Sequence, residues 1–329
     1  MAPDVSRANQ ANQPALAIFG PTASGKSAVA EAVADRIPAE IVSADSMQVY
    51  RGVPVLTNQP ARPTRLVAIW ELDYEASVGE YAELAHQAID EALTEGITPL
   101  VVGGTGLYLR AALVDLDLPP APPLGARPRF EELYDSLGPE RAHALLVERD
   151  SRAAETVHAN DRRRVVRALE LADAGKSLAR SPSRLWTREA RHPTLVFGLE
   201  VPKEVLAARI EARVRAMFEH GAEEEVARAA AGPLSSTAAQ VIGLREIREL
   251  PREEATAAIV RRTLQYAAYQ RKWMRRIPGL VPLAAERAPA EVAEALLAAA
   301  RERFTLLGQQ EEGASGIRKG EADHTRHAV

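Results

Sequence analysis

The sequence predicts an α/β fold in which helices flank a parallel sheet, with an all-helical insertion in the middle of the chain. Short apolar runs alternate with helical patterns, and the first run leads into a glycine loop. Strands that alternate with helices form parallel sheets buried on both faces. We therefore expect a core at 15–119 and 194–305, an insertion at 120–193, a flexible N-terminal tail at 1–14 and a disordered C-terminal tail at 306–329.

The first predicted strand, Ala15 to Phe19, ends at a loop with the spacing G-x-x-x-x-G-K-S, and a helical pattern follows. This order is the context of a P-loop, where backbone N–H groups and a helix N-terminus surround phosphate. A tight turn with a surface lysine is the alternative. Lys26 would meet the outer phosphate oxygens, and Ser27 would offer its hydroxyl to a magnesium ion. The predicted site for a ligand with two or more phosphates comprises Gly20, Pro21, Thr22, Ala23, Ser24, Gly25, Lys26 and Ser27.

The composition excludes several kinds of site and partner. The 329 residues contain no cysteine, so a disulfide, a thiolate zinc site and a cysteine nucleophile are impossible. The net charge of −4 does not indicate nucleic-acid binding, although an average hides local basic patches. No apolar run is long enough to span a bilayer, and residues 1–10 lack an apolar signal region. We therefore expect a cytoplasmic protein with no membrane partner.

A second short strand begins at Glu40 and runs into a loop that carries Asp45. We expect this loop one strand away from the P-loop, because ligands of such sheets bind at the carboxyl ends of the strands. A carboxylate there would hold magnesium through water or accept a proton, whereas a turn or cap aspartate is the structural alternative. Residues 53–65 contain three prolines and form an excursion, after which residues 66–70 form a third strand.

A capping box at 77–80 starts the next helix, and a fourth buried strand from Thr98 ends in Gly103-Gly104-Thr105. Many P-loop ATPases and kinases place an acidic residue at such a strand end to hold magnesium. Here the glycines let a ligand approach the backbone closely, and the threonine offers a hydroxyl near the aspartate loop. A plain helix N-cap is the alternative role for this threonine, and the two roles are compatible.

Residues 126–193 are predicted to be wholly helical and are basic, with 14 Lys and Arg residues against 11 acidic ones. Arg163, Arg164 and Arg167 begin one of these helices. Arginine forks fit phosphate oxygens, so the sequence suits a nucleic-acid backbone contact. A solvated helix face is the alternative.

The chain returns to the sheet with a strand over 192–199, which makes the basic helical piece an insertion. Residues 203–304 continue as helices with one weak strand near 280–283. Arg209 and Arg213 lie one helical turn apart, where they suit either a charge clamp on the phosphate site or a surface role.

Residues 266–276 mix aromatic and basic residues near the end of a long helix. This composition suits nucleic-acid contact through stacking and charge. Core packing of Trp273 with solvated arginines around it is the alternative.

These motifs together resemble the bacterial tRNA dimethylallyltransferases, also called tRNA isopentenyltransferases. The resemblance covers about residues 15–300, with the motifs in family order. It implies a P-loop nucleotide-kinase-like core with a helical insertion that grips the anticodon stem-loop, in a monomer. The matching segments are G-P-T-A-S-G-K-S at 20–27, S-A-D-S at 43–46, V-Y-R-G at 49–52, V-V-G-G-T-G-L-Y-L at 101–109, H-A-N-D at 158–161, R-A-L-E at 167–170, R-I-E-A-R at 209–213 and V-I-G-L-R at 241–245.

The resemblance implies transfer of a dimethylallyl group from dimethylallyl diphosphate to N6 of the adenosine 3′ to the anticodon, in tRNAs that read codons beginning with U. The P-loop would hold the diphosphate leaving group. Lys26, Arg213 and a magnesium ion at Ser27 would neutralise charge as the carbon–oxygen bond breaks. Asp45 matches the general base, and Thr105 would help to orient a flipped adenine.

The resemblance also implies a set of tRNA contacts and shows three departures. Residues 65–70 read R-L-V-A-I-W where the family carries a His-His pair, Leu244 replaces a tyrosine, and Ala268 with Tyr269 replace two charged residues. We expect these changes to affect tRNA affinity more than chemistry. The implied tRNA contacts are Asp45, Ser46, Met47, Gln48, Thr105, Arg127, Arg163, Arg164, Arg167, Gln240, Gly243 and Arg245.

Two other functions fit parts of the sequence. The P-loop alone suits an ATP-dependent small-molecule kinase, although the strand end at Gly103 lacks the acidic residue typical of that class. The basic insertion alone suits an RNA-binding protein without catalysis.

Overall fold

The computed structural model describes residues 14–118, 125–179 and 184–304, so the tail predictions fall outside it except at residue 14. Within these residues five parallel strands form one sheet, and helices pack on it, which confirms the predicted fold class. The strands are β1 (Ala15–Phe19), β2 (Ala39–Ser43), β3 (Thr98–Gly103), β4 (Thr194–Glu200) and β5 (Val281–Ala284). Their order in the sheet is β2-β3-β1-β4-β5.

The helices account for most of the remaining described residues. Short 3₁₀ turns occur at Arg184–Trp186 and Ala238–Gln240. The α-helices are α1 (Lys26–Ala34), α2 (Pro54–Thr57), α3 (Val78–Thr94), α4 (Gly106–Leu113), α5 (Ala126–Leu137), α6 (Pro139–Arg149), α7 (Ser151–Ala154), α8 (Arg162–Asp173), α9 (Lys203–Glu219), α10 (Ala222–Ala229), α11 (Leu244–Glu249), α12 (Arg252–Met274) and α13 (289–304).

The central strand β1 positions the functional edge of the sheet, which is the edge where the P-loop follows β1 and Gly103-Gly104-Thr105 lies at the end of β3. All five side chains of β1 are buried, as expected for a strand covered on both faces. In the parallel register Phe19 lies opposite Gly103 of β3 on one side and Gly198 of β4 on the other. The P-loop that follows β1 therefore leaves the sheet beside the Gly-Gly-Thr end of β3.

The neighbour of β1 differs from the prediction. We expected the Asp45 loop one strand away from the P-loop, but β3 lies between β1 and β2. The loop still reaches the P-loop, because the backbone of Ala44 crosses the end of β3 at Gly103. A Cβ on Gly103 would overlap the carbonyl of Ala44. The absent side chain thus allows the crossing.

The third strand predicted at 66–70 is wrong. This segment makes only isolated bridges, from Arg65 to Val42 and from Trp70 to Tyr50. Leu66 and Ala68 have φ values of 63° and 52°, which interrupt an extended backbone. Apolar composition suggested a strand, but the N–H groups of Ala68 and Ile69 instead donate to the carbonyls of Gln48 and Val49, in the loop that follows β2.

The insertion contains its own apolar cluster. Helices α5 to α8 surround buried side chains that include Phe130, Leu146 and Leu169, separate from the cluster on the sheet. The prediction of wholly helical structure to 193 is wrong beyond α8, since a 3₁₀ turn is the only helical element in the described residues between Asp173 and β4. Among the described residues, no helix has the length and apolarity needed to cross a membrane.

Candidate functional site

The backbone of the predicted P-loop turns tightly after β1. Ala23 and Gly25 have positive φ values of 62° and 90°, so the loop turns tightly before α1 begins at Lys26. Successive N–H groups in such a turn form a concave anion site. The Ser24 hydroxyl is buried without a hydrogen-bond partner in the described structure. The loop therefore has the shape of a phosphate site.

Two basic side chains and one acidic side chain share the space beside this loop. Burial lowers the pKa of Lys26 to about 8, an effect that Asp45 opposes and Arg213 increases. Burial also lowers the pKa of Arg213, again opposed by Asp45. The Nε of Arg213 is buried and has no hydrogen-bond partner within the described residues. Positive charge is thus held out of water where an anion would stabilise it.

Lys26 is held by the loop itself. Its Nζ donates a hydrogen bond to the carbonyl of Pro21 at 2.8 Å. This contact keeps the ammonium group over the concave face of the loop, where phosphate oxygens would bind.

Asp45 and Thr105 belong to one hydrogen-bonded corner. An Asp45 carboxylate oxygen accepts from the N–H of Met47 at 2.9 Å. The Thr105 hydroxyl accepts from the N–H of Ser46 at 3.1 Å and lies 3.2 Å from the Tyr266 hydroxyl. Thr105 occupies the N-cap position of α4, but its side chain makes no capping bond. Its hydroxyl instead joins the aspartate loop to α12.

A cavity of about 530 Å³ brings these groups together. This volume is within the usual range for small-ligand pockets. Thr105 is connected to the cavity wall through Tyr266. The polar lining includes Thr22, Lys26, Ser27, Asp45, Gln48, Arg209, Arg213 and Tyr266, and the apolar lining includes Ile41, Met47, Leu56, Val102, Val241 and Ile242. The arrangement suits a ligand with an anionic end and a small apolar part.

The segment before α11 forms one wall of this cavity. Gly243 has a φ of 108° and lies against Leu56, where a Cβ would come within 2.7 Å of the leucine side chain. Gln240 and Arg245 on either side are exposed. Val241 and Ile242, which lie between the predicted contact residues Gln240 and Gly243, line the cavity, whereas the side chains of Gln240 and Arg245 face the surface.

The four arginines predicted to contact tRNA in the insertion fall into two kinds. Arg163 and Arg164 are exposed at the start of α8. Arg127 and Arg167 instead bind the two oxygens of Glu170, at 3.0 and 2.9 Å. The Glu170 side chain is fully buried, so it fixes two partly buried guanidinium groups.

The aromatic and basic stretch at 266–276 divides between core and surface. Trp273 packs so closely on Gly106 that a Cβ there would overlap its ring, and Trp186 lies 5.0 Å from the ring centroid of Trp273. The Arg276 guanidinium lies 4.0 Å from the centroid of Trp186. Tyr269, one of the departures from the family pattern, is 55% exposed. Leu244, another departure, is buried in the core.

Sequence reasoning missed three side chains that organise the site. Gln270 is buried between the P-loop and the end of β3. Glu225 is buried and accepts from the N–H groups of Val55 and Leu56, which anchors the start of α2, whose Leu56 and Thr57 line the cavity. Glu170 is the third. Glu170 lies in the R-A-L-E segment and Gln270 in the stretch 266–276, but neither segment indicates which groups these side chains bind.

Two family models match the chain. One, described as IPP transferase, matches residues 48–277, and the other, described as isopentenyl transferase, matches residues 14–65. The chain is 37% identical over 277 residues to a tRNA dimethylallyltransferase of Streptomyces coelicolor, covering 80% of this chain and 88% of that protein. It is 38% identical over 290 residues to one of Kineococcus radiotolerans, covering 82% and 90%.

The chain is also similar in fold to solved structures of tRNA isopentenyl and dimethylallyl transferases. A tRNA isopentenylpyrophosphate transferase of Bacillus halodurans has a TM-score of 0.65 and 28% identity, covering 91% of this chain and all of that one. A eukaryotic dimethylallyltransferase acting on tRNA has a TM-score of 0.69 and 26% identity, covering 82% of this chain and 74% of that one.

Proposed function

The chain belongs to the tRNA dimethylallyltransferase family, and on this premise we propose that it prenylates N6 of the adenosine 3′ to the anticodon. The tRNAs would be those that read codons beginning with U. The chain is a prenyl transferase that acts on tRNA with dimethylallyl diphosphate, and its relatives do not favour the kinase alternative. One observation carries the proposal: the basic side chains of Lys26 and Arg213 line the same cavity as the Asp45 carboxylate.

The P-loop end of the cavity would bind the diphosphate of the donor. Lys26 and Arg213 supply charge that is already desolvated, so they stabilise the negative charge that grows as the allylic carbon–oxygen bond breaks. Arg209 also lines the cavity and is placed to add to this charge. The apolar side chains Leu56, Val241 and Ile242 suit a five-carbon group and exclude water from it.

Asp45 would accept the proton that the acceptor releases. The adenine N6 forms a bond to C1 of the dimethylallyl group, diphosphate leaves with the electrons of the broken bond, and one proton passes from nitrogen to the carboxylate. The Met47 N–H holds one oxygen of that carboxylate. Thr105, fixed by Ser46 and Tyr266, would orient the adenine.

The donor set fits a magnesium ion bound together with the diphosphate. Ser27 presents a hydroxyl to the cavity, and magnesium prefers oxygen ligands with several retained waters. The described residues contain no group of three or more His, Asp or Glu side chains that could hold a metal by themselves. Ser27, diphosphate oxygens and water would therefore hold the ion, which would supply charge neutralisation to the leaving group.

The insertion, residues 120–193, would bind the anticodon stem-loop. Its net positive charge and the exposed Arg163 and Arg164 support a phosphate-backbone contact. Arg127 and Arg167 would contact the same RNA from their fixed positions on Glu170. We further propose that the enzyme is cytoplasmic, where its proposed tRNA substrate is found, and that it acts as a monomer.

The experiment is prenylation of bulk tRNA by purified protein with magnesium and dimethylallyl diphosphate, followed by digestion to nucleosides and mass spectrometry. Wild type is expected to form isopentenyladenosine. Asp45→Ala and Asp45→Asn are expected to lower kcat by about 10²- to 10⁴-fold, because the general base is lost. Glu95→Gln removes an exposed carboxylate at the end of α3 and serves as the matched control.

Unmodified tRNA from wild type, with ATP hydrolysis stimulated by a metabolite, would instead support the kinase function. Full activity of both Asp45 variants would show that another group accepts the proton.

A further inference from the structure

Gln270 is a buried polar side chain that the mechanism above does not use. It lies on α12 and is 2% exposed. Buried carboxamides are costly unless both their donor and acceptor are satisfied. The partners of this side chain therefore indicate what it does.

Both ends of the carboxamide bind backbone of the functional edge. Oε1 accepts from the N–H of Thr22, in the P-loop, at 2.7 Å. Nε2 donates to the carbonyl of Gly104, at the end of β3, at 2.9 Å. Thr22 is 248 residues away in sequence, so only the tertiary fold brings it to α12.

The fit at Gly104 is specific to glycine. A Cβ on Gly104 would overlap the Gln270 carboxamide and approach the carbonyl of Gly20 to 3.1 Å. The missing side chain thus lets the carboxamide lie between the two loops. The same contact explains why the second position of the Gly-Gly-Thr sequence is a glycine.

One turn earlier on α12, Tyr266 binds the other half of the site. Its hydroxyl lies 3.2 Å from that of Thr105, which in turn accepts from Ser46 beside Asp45. One helix face therefore contacts the diphosphate loop through Gln270 and the adenine-orienting corner through Tyr266.

We propose that Gln270 is a positioning residue that fixes the P-loop relative to Gly104 and Thr105, so that the donor diphosphate and the acceptor amine are held in register. The proposal rests on the function proposed above. The hydrogen bond from the Thr22 N–H to Gln270 restrains the conformation of the loop. The rate of transfer between two bound substrates falls steeply when their reacting groups are misplaced.

The test uses the full chain, three single variants, the double variant Gln270→Ala/Gly104→Ala and one control. Gln270→Ala removes both hydrogen bonds, Gln270→Glu keeps the acceptor for Thr22 but loses the donor to Gly104, and Gly104→Ala displaces the carboxamide without removing it. Gln265→Ala changes an exposed glutamine of the same helix and is the control. Affinity for magnesium pyrophosphate is measured by calorimetry, tRNA affinity by filter binding, and kcat and KM for dimethylallyl diphosphate by prenylation.

Gln270→Ala is expected to weaken pyrophosphate binding and lower kcat by about tenfold each, with tRNA affinity unchanged. Gln270→Glu is expected to show a smaller loss of pyrophosphate affinity. The Gln270→Ala/Gly104→Ala double variant is expected to be no worse than the poorer single variant, because both changes break the same link.

Wild-type pyrophosphate affinity in Gln270→Ala, or additive losses in the double variant, would overturn the proposal. If Gln270→Ala does not fold, as judged by its thermal transition, the Gln270→Glu and Gly104→Ala variants decide on the same criteria. A wild-type protein that binds pyrophosphate but leaves tRNA unmodified would reject the proposed function alone.

Discussion

Lys26 combines burial with a charge that its proposed ligand requires. Burial lowers its pKa to about 8, and Asp45 opposes this shift while Arg213 adds to it. A bound diphosphate would favour the charged form, so binding couples to protonation above that pH. The lysine is thus held in a state that anion binding stabilises.

We expect the affinity of wild type for magnesium pyrophosphate to fall as pH rises above about 8, by up to about tenfold per unit, because one proton must be taken up. Calorimetry from pH 7 to 10 measures this. Lys26→Arg is the matched control, since arginine stays charged across this range and should remove that part of the pH dependence. Equal pH slopes for the two proteins would show that Lys26 does not titrate on binding.

The same pKa has a consequence for folding, with the opposite sign. Below pH 8 the lysine is charged in both the folded and the unfolded state, so the full penalty of burying the charge applies. As pH rises from about 8 toward the unfolded value of 10.5, the folded state loses the proton first. This group therefore increases the free energy of unfolding with rising pH in that window.

Helix α8 shows how an element prepares side chains for a ligand. Glu170, fully buried on this helix, binds Arg167 of the same helix and Arg127 of α5. The Nη1 of Arg127 also lies 3.4 Å from a carboxylate oxygen of Glu75, which belongs to the part of the chain that contains the sheet. The other carboxylate oxygen of Glu75 accepts from the N–H of Ser236. The carboxylate thus links the insertion's arginines to each other, and Arg127 links them to the core.

Glu170→Ala is expected to weaken tRNA binding by about tenfold, the effect of one charge-assisted hydrogen bond of about 1.5 kcal/mol. The reason is the lost fixed geometry of Arg127 and Arg167. Filter binding at constant salt measures it. Glu148→Ala removes an exposed acid from α6 and should leave tRNA affinity unchanged or slightly higher.

The direction of the change in tRNA affinity distinguishes the loss of arginine positioning from the simple removal of a negative charge. Removal of a negative charge by itself predicts tighter binding to RNA. Tighter binding by Glu170→Ala would therefore contradict the positioning role of Glu170.

At the scale of the whole molecule, the residues that the structure describes form two apolar clusters, for which we propose different tasks. The larger one covers the sheet and supports the cavity, and the smaller one lies inside the insertion around Leu146. Leu100 of β3 is an equally buried leucine in the larger cluster. A cavity made in one cluster should therefore affect mainly the function of that part.

Leu146→Ala is expected to cost about 2–5 kcal/mol of stability in the insertion, through lost burial and a residual cavity. It should weaken tRNA binding and leave magnesium pyrophosphate affinity unchanged. Leu100→Ala, with the same change of volume, should weaken pyrophosphate binding. For both variants, urea unfolding measures stability, calorimetry measures pyrophosphate affinity and filter binding measures tRNA affinity. Equal loss of both affinities in Leu146→Ala would show that the two clusters unfold as one unit.

Local sequence determined the fold class, the P-loop and the capping box of α3, whose Ser77 side chain accepts from Glu80 as the motif predicts. These features depend on backbone conformations and hydrogen bonds within a few residues, which residue types encode directly. The same holds for the strand end at Gly103, where the need for close approach is encoded by the missing side chain.

The tertiary structure alone decided which strand lies beside β1, that 66–70 is not a strand, and which acids hold the arginines. It also placed Gln270 between two loops far from it in sequence. Strand order follows from how helices pack on the sheet, and a buried polar side chain is recognised by partners distant in sequence. Residue type alone does not predict those partners, because every glutamine offers the same donor and acceptor groups. Only the fold determines which groups they bind.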